Sequence, residues 1–161
     1  MKLRPLFIPA LVIAVLTGGA GAAAADVAFG YLHNRSGNAN FDYLETIFPN
    51  SFASSLASQH ALTVYKPSTV DERLKKRGTE LRKTYTAGEL ADVVKNAGTD
   101  YFITGSFLPL PGNRIEIRLS ICARKTLEVF SFTSTGKMET EIFRLVDRIA
   151  QVVATYLRED G

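Results

Sequence analysis

Asn96-Ala97-Gly98-Thr99-Asp100-Tyr101-Phe102-Ile103-Thr104-Gly105-Ser106, followed by Arg114-Ile115-Glu116-Ile117-Arg118-Leu119-Ser120-Ile121, is the stretch that decides the fold. Ala97-Gly98 ends a helix, with Gly98 taking the left-handed conformation, and Tyr101 opens a strand. Pro111-Gly112-Asn113 marks a turn into the next strand. There Ile115, Ile117, Leu119 and Ile121 alternate with Glu116, Arg118 and Ser120, so one face is apolar and the other polar. That pattern fits an antiparallel meander with one covered face. A second turn at Arg124 to Glu128 leads to a third strand, Val129 to Thr133, which Gly136 ends.

Upstream, Thr86 and Glu89 have capping-box spacing for a helix through Val94, with Tyr85 and Leu90 as its hydrophobic staple. Thr69 and Glu72 predict a short helix ending near Gly78, and Leu62 to Tyr65 a strand closed by Pro67. Val27 to Leu32 is a buried strand that runs into the loop His33 to Asn38. From Phe41, the residues Leu44, Ile47, Phe48, Phe52 and Leu56 recur at helical spacing, with Asn40 as N-cap. Pro49 either kinks this helix or starts a new one in its own first turn. Downstream, Ile142, Leu145, Val146, Ile149, Val153 and Tyr156 make one apolar stripe opposite Arg144, Asp147, Arg148 and Gln151, so the last helix lies across the sheet. The expected fold is α+β: a mixed sheet with a three-stranded antiparallel meander packed by helices, in the order β-α-β-α-α-β-β-β-α.

Lys2 and Arg4 precede an apolar run, Leu6 to Leu16, and small residues follow up to Ala25. This reads as a cleaved secretory signal over residues 1–25, leaving one domain over 26–161. The run is shorter than the roughly 20 apolar residues of a membrane span, and Pro9 interrupts it. No cysteine stands at the cleavage point, so a lipid-free periplasmic protein is expected, in possible association with the outer membrane. The 161-residue chain carries 19 basic and 16 acidic residues, and the signal holds two of the basic ones. The mature chain is therefore nearly neutral, which argues against nucleic-acid binding. Its single cysteine, Cys122, permits no internal disulfide, so stability rests on packing.

Catalytic chemistry finds no foothold. His33 and His60 are the only histidines, and neither has a second ligand at metal spacing, so no metal or other cofactor is expected. No Gly-x-Ser-x-Gly elbow occurs, and Gly105 inside a strand suits the close approach of a helix. Asp42, Glu45, Asp71 and Glu72 suit helix first turns, where they complement the dipole, and none pairs as acid and base. Cys122 falls on the face opposite the isoleucine row. Burial under a helix and pairing between chains both remain open for it.

The order of elements resembles the periplasmic amino-terminal domain of TolB and its relatives, among them the curli secretion component CsgG and the lipoprotein activators of penicillin-binding proteins. Val27 to Asn40 with its Asn-Arg-Ser-Gly loop, Gly98 to Phe107 with Thr-Gly-Ser, Arg118 to Val129 with its turn, and the closing amphipathic helix carry the resemblance. Pro49 and Leu108-Pro109-Leu110-Pro111 depart from the family pattern. The propeller of TolB and the long membrane-inserting hairpins of curli-type pores are absent from the sequence, so neither their functions nor pore formation are implied.

The resemblance implies a non-enzymatic binding or accessory domain of a cell-envelope assembly, at the outer membrane or cell wall, with an envelope protein as partner. An activator or regulator of a cell-wall synthase is the alternative, and a small periplasmic hydrolase the rival of another class. Oligomeric state stays open. Two surfaces are candidates for binding. Arg73, Lys75, Lys76, Arg77, Arg82 and Lys83 form a basic segment suited to an acidic partner, anionic lipid or peptidoglycan, or else a solvated face with Glu72 spaced to pair with Lys76. Arg35, in a loop with free backbone donors, suits an anion, and Leu108 and Leu110 on a proline hairpin suit an apolar groove.

Overall fold

The computed structural model describes residues 24–58, 62–139 and 141–160. Of the expected signal, residues 1–23 lie outside these, as does His60. In chain order the elements are β1 (Ala25–Asn34), a 3-10 turn (Ala39–Phe41), α1 (Leu44–Ala57), β2 (Leu62–Tyr65), α2 (Pro67–Lys75), α3 (Ala87–Ala97), β3 (Tyr101–Leu110), β4 (Arg114–Ala123), β5 (Val129–Lys137) and α4 (Ile142–Asp160). Five strands form one mixed sheet in the order β2-β1-β3-β4-β5. β1 lies parallel to both β2 and β3, while β3, β4 and β5 are the antiparallel meander. The α+β order is the expected one. Ala25 is already a strand residue, opposite Leu62.

Helices cover the sheet on both faces. On one, the fully buried row Ile115, Ile117, Leu119 and Ile121 packs with Phe48, Phe52 and Leu56 of α1 and Leu145, Ile149 and Val153 of α4. Each of these large side chains contributes about 1.5 to 3 kcal/mol by leaving water. On the other face, Ala28, Phe102 and Cys122 pack under Val70 and Leu74 of α2 and Leu90 and Val94 of α3. Cys122 is fully buried there, and burial raises its thiol above the ordinary range. The buried reading holds, and no thiol is presented for pairing between chains. α2 and α3 do not reach β5, so Arg118, Ser131 and Thr133 stay exposed on this side.

Local capping signals explain where the helices start. Thr86 and Glu89 form the expected reciprocal capping box, and Gly98 ends α3 at φ 68°. Elsewhere the boundaries shift. Asn38, not Asn40, is the asparagine that caps, and it caps the 3-10 turn by accepting from the Asn40 N–H; α1 follows from Tyr43 without a side-chain cap. α1 runs unbroken through Pro49. α2 begins three residues earlier than a Thr69 cap would start it, with Lys66 in the N-cap position, because Pro67 is preorganised for the first helical turn.

Three further expectations need correction. Gly105 accommodates the neighbouring strand, not a helix: a Cβ there would overlap the Arg118 carbonyl oxygen and lie 3.0 Å from Leu119 Cα. Leu108 and Leu110 are half-buried strand residues of β3, paired with Glu116 and Arg114, and do not stand out on a hairpin. Pro109 is tolerated because the last partner of β3 on the β1 side is Asn34 opposite Phe107. The meander also extends past Thr133, as β5 continues to Lys137.

Candidate functional site

The basic segment is taken apart by its own pairings. Arg73 lies over the Tyr65 ring at 3.8 Å, and Lys75 pairs with Asp71 at 2.6 Å one turn earlier on α2. Arg77 donates to the Lys95 carbonyl at 3.5 Å, near the end of α3. Arg82 meets Glu89 at 2.7 Å and Lys83 pairs with Glu45. Among the described residues Arg77 has only that backbone carbonyl, and Lys76 alone of the six has neither an ion pair, an aromatic ring nor a side-chain hydrogen bond. Hydrogen bonding to these carboxylates raises Lys75, Arg82 and Lys83 above their ordinary values, and the Lys75 ammonium and Leu81 N–H hold Asp71 below its own. The Thr86 N–H and Arg82 do the same for Glu89. The charges thus fasten the segment between α2 and α3 to its surroundings, and they do not converge on one patch.

The loop after β1 is closed on itself. Asn34 Oδ1 accepts from the Ser36 N–H at 3.0 Å, Ser36 Oγ from the Asn38 N–H at 3.1 Å, and the Arg35 N–H is spent on the Phe107 carbonyl at 3.0 Å. The backbone donors of Arg35, Ser36 and Asn38 are therefore already used, and the Arg35 guanidinium pairs with Glu116. What the sequence does not reveal is the buried acid beneath this loop. Glu45, 6% exposed, accepts from the Asn34 N–H at 3.0 Å through one oxygen and pairs with Lys83 through the other. It ties β1, α1 and the segment before α3 together. Glu45→Ala leaves both donors unmatched and should cost about 2 to 3 kcal/mol, measured by urea unfolding, whereas Lys83→Met should cost less because Lys83 is half-exposed.

The surface that stands out physically is apolar and lies where α1 and α4 begin. Tyr43 is 57%, Ile47 49% and Phe143 83% exposed. With Met138, Ile142 and Val146 they line a groove of about 260 Å³. Helical geometry accounts for it. α1 buries Leu44, Phe48, Phe52 and Leu56, which turns Ile47 outward beside Tyr43 one turn earlier. Ile47 thus lies outside the buried stripe that its helical spacing predicts, at 49% exposure. Phe143 sits in the first turn of α4, outside the stripe that packs on the sheet. Three large apolar side chains exposed side by side mark an interaction surface more readily than scattered ones. The signal legible in the sequence was a phenylalanine on α4 belonging to neither the apolar stripe nor the charged face. Among the described residues, no group of three or more His, Cys, Asp or Glu is placed to hold a metal.

No family model matches the chain, and no curated protein matches it. Solved structures do, at the level of fold. The carboxy-terminal domain of LpoB from Salmonella enterica superposes with a TM-score of 0.53 at 16% identity, over 72% of this chain and 84% of that one. The same domain from Escherichia coli gives 0.50 at 16%, over 76% and 90%. Lipoprotein GNA1162 from Neisseria meningitidis gives 0.53 at 14%, over 81% and 96%. These likenesses show a shared fold.

Proposed function

We propose that this chain is an exported accessory domain without catalysis of its own, which grips an envelope protein through the Tyr43, Ile47 and Phe143 surface, and that the partner is a cell-wall synthase. The observation that carries the reading is that surface: bulky apolar groups left in water at the junction of two helices, where polar residues would be the neutral choice. The class of partner rests on two supports. The sequence resembles a family that includes lipoprotein activators of penicillin-binding proteins, and the fold is that of the LpoB domains and of lipoprotein GNA1162. The general accessory reading thereby narrows to the activator that stood as its alternative. One of these neighbours is a lipoprotein by name, whereas this sequence has no cysteine at the expected cleavage point to carry a lipid, so a lipid-free chain stays part of the proposal.

Such a domain acts by binding energy alone. Contacts stronger to the active form of a synthase than to its resting form shift the population toward activity. The test is glycan polymerisation by a purified penicillin-binding synthase from the same envelope, with and without the mature chain. The expected result is a faster rate that saturates with the chain. No change in rate, together with no binding, contradicts the reading, and turnover of peptidoglycan by the chain alone would favour a hydrolase.

A further inference from the structure

We propose that the free edge of β5 and the adjoining stripe of α4 form a two-fold interface with a second copy of this chain. The surface lies away from the groove at Tyr43 and Phe143 and does not depend on the function proposed above. β5 is the last strand of the sheet, and among the described residues no strand pairs with its outer side. Natural edge strands are usually blunted by lysine, proline, a bulge or a charge pointing inward. β5 has no proline and pairs with β4 in continuous register, and its one charged residue is Lys137 at the far end, so the edge from Val129 to Gly136 is uncharged. Val129 and Phe130 are both exposed on it. An unprotected edge of this kind is a template for another extended backbone.

The helix beside the edge indicates which backbone. α4 runs back antiparallel over β5, with Leu145 against Gly136 and Tyr156 stacked on Phe130 at 4.5 Å. Beside Phe130, its residues Arg148, Val152, Thr155 and Glu159 line a groove of about 470 Å³. They recur at three- and four-residue steps, so they form one stripe with a base at one end and an acid at the other. The ends are about 16 Å apart. Laid antiparallel on itself about an axis between Val153 and Ala154, the stripe brings Arg148 to Glu159 of the second copy, and Val152 to its Thr155. Each contact then occurs twice, as an isologous interface requires. A parallel arrangement would set like charges together. The same sense of axis, perpendicular to the sheet, pairs β5 antiparallel with its copy and continues the meander across the interface. Strand and helix thus call for the same symmetry.

Sedimentation equilibrium of the mature chain over a concentration series tests this, with Arg148→Glu, Glu159→Arg and the double exchange R148E/E159R. The wild type should be a reversible dimer. Each single exchange sets like charges opposite at two places and should raise the dimer Kd about tenfold or more, while the double exchange restores it. Circular dichroism should be unchanged in all three, and so should melting at concentrations where the chain is monomeric, since the exchanged residues are exposed. Wild type that stays monomeric throughout overturns the proposal and leaves the edge to a strand of a different protein. A dimer indifferent to the single exchanges, or one the double exchange fails to restore, overturns it equally.

Discussion

Gly105→Ala should be strongly destabilising. The alanine Cβ would overlap the backbone oxygen of Arg118 in the neighbouring strand, and a backbone atom inside the sheet cannot swing aside as a side chain does. β3 is the middle strand, held on one side by β1 and on the other by β4, so the clash is relieved only by parting the ladder. The cost should exceed about 3 kcal/mol, a large share of the roughly 5 to 15 kcal/mol that a domain has in total. Gly30 provides the control. A Cβ there meets the Phe102 ring edge at 2.7 Å, and a ring can shift. Gly30→Ala should therefore be clearly milder in a denaturant titration, and equal effects would show that the close strand approach at Gly105 is not what matters.

Phe143→Asp should abolish partner capture without harming the fold. At 83% exposure the ring contributes little to stability, so the melting temperature should move by no more than about 0.5 kcal/mol implies. An aspartate in the first turn even complements the dipole of α4. An aromatic anchor at the centre of an interface, by contrast, is worth about 2 kcal/mol or more, which corresponds to roughly a thirtyfold or greater loss of affinity. Ile47→Asp should act in the same direction. Surface plasmon resonance against the purified synthase reads both changes. Charge reversal at Lys76, the basic residue left without a partner, should leave affinity nearly unchanged, whereas a loss there equal to that of Phe143→Asp would return the basic segment to the interface.

How much was legible in the sequence follows from the range of each interaction. Gly98 and the Thr86 to Glu89 box act within a few residues, and the alternation of Ile115 to Ile121 repeats along one strand; these lie where expected. Pro67 reads as the close of the strand Leu62 to Tyr65 and Thr69 as the helix cap, yet Pro67 is itself the first helical residue, a role that a proline's fixed φ allows equally well. Non-local partners were beyond reach. Only the fold brings Glu45 to Lys83 or Arg35 to Glu116, and these pairs turned an apparent basic patch and an apparent anion loop into internal struts. The groove of Tyr43, Ile47 and Phe143 depends on two helices distant in sequence beginning side by side. Its members are unremarkable singly and informative together.

The most direct measurement replaces Phe143 with a photo-crosslinking residue in living cells and, after illumination, labels the extract with fluorescent penicillin. A light-dependent adduct that carries the penicillin label, and is missing when the crosslinker stands at exposed Glu72 on α2, is the result predicted. Adducts at Phe143 without the label, or labelled adducts equally strong from Glu72, would contradict the claim that this surface grips a cell-wall synthase.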